Sequence, residues 1–77
     1  MKTLEEITEI FKEELKDNSV ELTRESTAAD VDGWDSITNT NIVYAIEQKY
    51  SIRFKLREIL KLKNVGDLVD TINKKLA

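Results

Sequence analysis

Residues 3–17 read TLEEITEIFKEELKD, apolar residues set among charged ones. Leu4, Ile7, Ile10, Phe11 and Leu15 recur at helical spacing, with charged residues between them. Such a stripe predicts an amphipathic helix with one face that must be buried. Thr3 followed by Glu6 reads as a capping box at its start, and Asn18-Ser19 reads as its break.

Working outward, Ser36 to Tyr50 forms a second helix whose inner stripe is Ile42, Val43, Ile46 and Tyr50, with Ile37 near its start. Leu56, Ile59, Leu60 and Leu62 fit a short third helix, although Ile52-Arg53-Phe54 would also suit a strand. Asn64 caps a last helix with Asp67 at its third position, and Val65, Leu68, Val69, Ile72 and Leu76 form its inner face. Proline is absent and glycine occurs only at Gly33 and Gly66, so little interrupts these helices. Residues 18–35 form a long connection, rich in residues that suit turns and anchored by Val20, Leu22, Val31 and Trp34. Structureless segments of this length are often functional. The expected fold is all-α: a small four-helix bundle of three main helices and one short one, with a long loop between the first two. Its 77 residues suffice for one domain, spanning 1–77.

Composition removes several kinds of chemistry. Cysteine and histidine are both absent, which excludes disulfides, thiolate nucleophiles, Ser-His-Asp triads and Cys/His zinc sites. Carboxylates are plentiful, but nothing pairs them across a recognisable site, and no metal site is expected. Met1 leads into Lys2-Thr3-Leu4-Glu5-Glu6 rather than an apolar run, so neither a secretory leader nor a membrane span is expected, and the expected location is the cytoplasm. The net charge of −3 is uneven: residues 1–35 hold eleven acids and four bases, and residues 36–77 hold four acids and eight bases.

The chemically informative stretch is Gly33-Trp34-Asp35-Ser36-Ile37, where the long loop meets the second helix. Asp35 is a good N-cap and Ser36 falls in the first turn. A hydroxyl there lies near the unpaired N–H groups and positive dipole end of the helix, which favour a phosphate by about 0.3–1 kcal/mol per charge. By itself, Asp-Ser before an apolar helix is an ordinary helix start.

The whole chain resembles the acyl carrier protein family. The resemblance rests on Gly33-Trp34-Asp35-Ser36-Ile37, on Ala45-Ile46-Glu47 with Tyr50 and Ile52-Arg53-Phe54, and on Val65-Gly66-Asp67-Leu68-Val69. It implies that a phosphopantetheinyl transferase (holo-carrier synthase) moves a 4'-phosphopantetheine arm from coenzyme A onto Ser36, assisted by Asp35 and magnesium. Acyl groups would ride on the arm as thioesters. The implied partners are acyl-activating and acyl-transferring enzymes, and the implied state is a monomer that catalyses nothing itself.

Two departures from the family stand out. Thr38, Asn41, Gln48 and Lys49 occupy second-helix positions where the family often has acids, and residues 36–63 hold two acids and six bases. Partners should therefore dock on Trp34, Ile37, Thr38, Asn41, Tyr44 and Glu47 through hydrogen bonds and apolar contact, or present acidic patches. Asn39 and Thr40 should also make the space near the arm polar, which disfavours a long apolar chain and suits a short, polar or aminoacyl cargo. These departures point to a specialised lipid, polyketide or surface-polysaccharide pathway. The competing readings are a D-alanyl or aminoacyl/peptidyl carrier and, from another class, an unmodified helical interaction module. Nucleic-acid binding fits poorly, because the basic residues are not interleaved with aromatics beyond Tyr50 and Phe54.

Overall fold

The computed structural model describes residues 2–77. Met1, where the reading of a missing leader begins, lies outside them. Four helices follow one another: α1 (Lys2–Leu15), α2 (Ser36–Tyr50), α3 (Leu56–Leu60) and α4 (Val65–Leu76). No strand occurs among the described residues, and Ile52-Arg53-Phe54 is an irregular linker rather than the alternative strand. No described helix is long and apolar enough to cross a membrane.

The inner stripes of α1, α2 and α4 meet in one core. Ile7, Phe11, Ile42, Ile46, Val65, Val69 and Ile72 have no exposed surface, and Leu68 has almost none. Each large apolar side chain so buried contributes about 1.5–3 kcal/mol relative to exposure. The loop closes the bundle from one side: Val20 and Val31 are buried, while Leu22 and Trp34 pack half-buried against the core.

Several local expectations are corrected. Thr3 lies inside α1 rather than capping it, and its hydroxyl donates to Asn73 Oδ1 on α4 at 2.9 Å. α1 also stops before Asn18-Ser19, because Lys16 turns left-handed at φ 53° and Asp17 N–H bonds back to the Lys12 carbonyl. Ile37 and Leu76 leave the inner stripes: both are exposed, Ile37 in the first turn of α2 and Leu76 as the last residue of α4, where the helix ends project past the buried core. The third helix forms where expected, but none of its residues is buried.

α4 begins as Asn64 predicts, with Asn64 Oδ1 accepting from Asp67 N–H at 2.8 Å. The loop supplies two further acceptors. Val65 N–H donates to the Ser26 carbonyl at 2.9 Å and Gly66 N–H to the Arg24 carbonyl at 2.7 Å. Arg24 also grips Asp70 with two hydrogen bonds of 3.0 and 2.8 Å. These bonds fix the loop to α4 and carry its far end, residues 33–35, to the head of α2.

Candidate functional site at the head of helix α2

Gly33 adopts φ +84°, a conformation that side chains resist, and so turns the loop into α2. Space is not the constraint, since a Cβ there would meet only the Leu15 side chain at 3.7 Å. Trp34 is anchored inward. Its ring meets Phe11 edge-on at 4.8 Å between centroids, and its indole N–H donates to Asn39 Oδ1 at 2.9 Å.

Asp35 is the N-cap, in extended backbone, and it forms a reciprocal capping box with Thr38. Asp35 Oδ1 accepts from Ile37 N–H at 2.9 Å and from Thr38 N–H at 3.0 Å. Thr38 Oγ1 accepts from Asp35 N–H at 2.8 Å and donates to the Gly33 carbonyl at 2.6 Å. The Thr38 N–H, joined by the Ile37 N–H and the Thr38 hydroxyl, holds the Asp35 carboxyl below its usual value. It stays ionised at neutral pH.

This geometry corrects the reading of the helix start as an open phosphate cradle. The Ile37 and Thr38 N–H groups are already taken by Asp35. Ser36 is left as an exposed hydroxyl on the first residue of α2, and no hydrogen bond involves its Oγ among the described residues. The Ile37 and Thr38 N–H groups are therefore not free to cradle a phosphate on that hydroxyl.

A groove of about 200 Å³ opens beside Ser36, lined by Ala28, Trp34, Asn39, Leu62 and Lys63 together with Asp35. Only one of the two polar residues expected near the arm reaches it. Asn39 lines the groove, whereas Thr40 is exposed and its hydroxyl donates to the Ser36 carbonyl at 3.0 Å. Ala28, Leu62 and Lys63 carry no local signal, because the loop and the segment after α3 meet α2 only through tertiary packing.

The residues read as a docking face divide in two. Ile37, Asn41 and Tyr44 are exposed and share one face of α2, being four and three residues apart. Trp34, Thr38 and Glu47 are half-buried and engaged internally; Glu47 Oε2 accepts from Phe54 N–H at 2.7 Å and ties the linker to α2.

A family model described as the phosphopantetheine attachment site matches residues 5–72. The chain belongs to the acyl carrier protein family. An acyl carrier protein of Wolinella succinogenes is 33% identical over 69 residues, covering 90% of this chain and 91% of the relative. Another, from Thermosynechococcus vestitus, is 28% identical over 74 residues, covering 96% and 91%. Among solved structures, the solution structure of a holo acyl carrier protein from Geobacter metallireducens superimposes with a TM-score of 0.91. It is 49% identical, with 99% of this chain and 87% of that one covered. The crystal structure of the Thermotoga maritima acyl carrier protein gives 0.86 at 31% identity, covering 97% and 87%.

The chain is accordingly a carrier rather than a catalyst, and the group carried in its family is covalent 4'-phosphopantetheine. That group supplies a terminal thiol, which a chain without cysteine lacks. The exposed Ser36 hydroxyl fits a phosphodiester attachment, because nothing closes over it and the groove beside it gives the arm a wall to lie against.

Proposed function

We propose that residues 1–77 act as one cytoplasmic carrier domain, with 4'-phosphopantetheine on Ser36, that shuttles thioester-linked acyl groups between biosynthetic enzymes. The observation carrying this reading is the placement of Ser36. It is an exposed hydroxyl on a helix whose start is locked by the Asp35–Thr38 box. A fixed base for a swinging arm allows different enzymes to meet the cargo in a constant geometry. Asp35 stands ionised next to the hydroxyl and supports the transferase with its magnesium. Ile37, Asn41 and Tyr44 form an exposed face for enzymes that dock beside the arm.

The polar second helix favours a specialised lipid, polyketide or surface-polysaccharide pathway over bulk synthesis. No acid occurs in the first turn of α2, and Asn39 puts an amide on the groove wall. These two features also favour a second cargo class, D-alanyl or other aminoacyl groups. Parallel loading assays with acyl- and aminoacyl-activating enzymes separate the two.

The test is intact mass after incubation with coenzyme A, magnesium and a broad-specificity transferase. The chain gains the mass of one phosphopantetheine, and Ser36→Ala gains none. Labelling that persists in Ser36→Ala moves the site elsewhere. No labelling of the natural chain leaves it an unmodified interaction module.

A further inference from the structure

The short helix α3 is the least covered apolar element of the molecule. It buries none of its residues, and Leu56 and Leu60, one turn apart, are 71% and 76% exposed. The segment just after it reaches the arm site, because Leu62 and Lys63 line the same groove as Ser36. Exposed leucines at such a place are a contact surface in search of a cover.

The charge along this stretch of chain is mainly basic, and the acids that border it in space are engaged: Asp67 accepts from Lys63 N–H at 3.0 Å and Asp70 is paired with Arg24. Residues 36–63 carry Lys49, Arg53, Lys55, Arg57, Lys61 and Lys63 against only Glu47 and Glu58. Both acids are held internally. Glu47 accepts from Phe54 N–H, and Glu58 Oε1 accepts from Lys55 N–H at 2.7 Å and pairs with Lys75 at 3.0 Å. Among the described residues no ion pair involves Arg53, Lys55, Arg57, Lys61 or Lys63. Arg57 and Lys61 stand one turn apart, each next in sequence to one of the exposed leucines.

We propose that α3 and the 61–63 segment dock an acidic protein partner, whose carboxylates meet Arg57, Lys61 and Lys63 while an apolar centre covers Leu56 and Leu60. The partner is an enzyme that works on the arm, so the proposal rests on the Ser36 reading and adds the polarity of the enzyme face. Charge complementarity of this kind speeds encounter and rejects partners of the wrong sign. A phosphate backbone complements the bases but offers nothing to Leu56 and Leu60, so nucleic acid is the weaker occupant. A second copy would have to present its acidic loop, where Asp17, Glu21, Asp30 and Asp32 border one shallow recess.

The probe is a synthetic amphipathic helix with leucines on one face and glutamates flanking them. Its control has every glutamate replaced by lysine. Both are titrated into the isotope-labelled full-length chain and followed by amide shifts. The acidic peptide shifts residues 56–63 together with Ser36 and Ile37. Its affinity falls about tenfold or more in the double variant Arg57→Glu, Lys61→Glu, since attraction becomes repulsion. It weakens further as salt rises from about 50 to about 300 mM. Leu60→Ala weakens it at constant charge.

Equal or tighter binding of the lysine peptide overturns the proposal, as does unchanged affinity in the double variant. So does equal response to a single-stranded oligonucleotide, or self-association of the chain lost on changing α3. The Ser36 reading is separated by mass: the natural chain gains one phosphopantetheine from a broad-specificity transferase whether or not the peptide binds, and Ser36→Ala still binds the peptide while gaining none. Peptide binding without labelling sinks the Ser36 reading instead.

Discussion

Gly66 shows how one residue's lack of a side chain holds the site in place. Its N–H donates to the Arg24 carbonyl, and a Cβ built on it would lie 2.9 Å from that oxygen. It would also lie 3.3 Å from Arg24 Cβ and from Asn64 Oδ1. The obstructing atom is backbone, anchored in turn by Val65 N–H on the Ser26 carbonyl. Alanine is the better helix former by up to about 1 kcal/mol, yet the loop must shift to admit it. Gly66→Ala should therefore destabilise the fold by about 1–3 kcal/mol, the usual range for overpacking. The urea midpoint reads this, with an unchanged slope; a midpoint equal to or above that of the natural chain contradicts it. Before the loop is placed, Gly66 looks only like a weak helix residue and a member of a family motif. Asp35 was legible as a cap, because its type and position suffice. The engagement of Thr38 in the same box was not anticipated, since a threonine three residues into a helix looks equally like surface.

Among the elements, α3 differs from the rest. α1, α2 and α4 each place an apolar stripe in the core, whereas α3 has one turn of helix and no buried residue. Helices this short are marginal without packing. What holds α3 is slight: Glu58 bonded to Lys55 N–H, one ion pair from Glu58 to Lys75 of α4, and half-buried Ile59. Native-state hydrogen exchange should find the amides of residues 58–62 opening at far lower free energy than those of Ile42–Ile46 or Leu68–Ile72. Protection equal to the global stability would show that α3 belongs to the cooperative core. The existence of all four helices was readable from apolar spacing. The end of α1 was not, because Lys16 takes the left-handed turn usually marked by glycine or asparagine. Ser51 does the same at the end of α2 with φ 55°.

For the whole molecule, carboxylates bonded in the native state link stability to pH. Asp17 is lowered by the Ser19 hydroxyl, Asp35 by the Thr38 N–H, Glu58 by the Lys55 N–H and Asp70 by Arg24. Each binds its proton more weakly folded than unfolded. Their stabilisation is therefore complete above the ordinary carboxylate range and is lost as pH falls toward and through the depressed native values. With no histidine in the chain, no side chain of ordinary pKa changes charge between about pH 5 and 8. The urea midpoint should stay level from about pH 7 to 5 and fall steadily below about pH 4.5. A midpoint that holds at pH 3 would show that these bonds contribute nothing net.

The amino-acid sequence by itself determined that four helices form, the central apolar faces of α1, α2 and α4, the cap at Asp35 and the place of Ser36 in the first turn of α2. Those follow from spacing and residue type, which act over one or two turns. The tertiary structure alone decided what surrounds that hydroxyl. It brought Ala28, Leu62 and Lys63 beside Ser36, turned Thr40 outward, engaged Glu47 with the linker and left Leu56 and Leu60 uncovered. These outcomes depend on which parts of the chain meet across the bundle, and local spacing carries no information about such distant contacts.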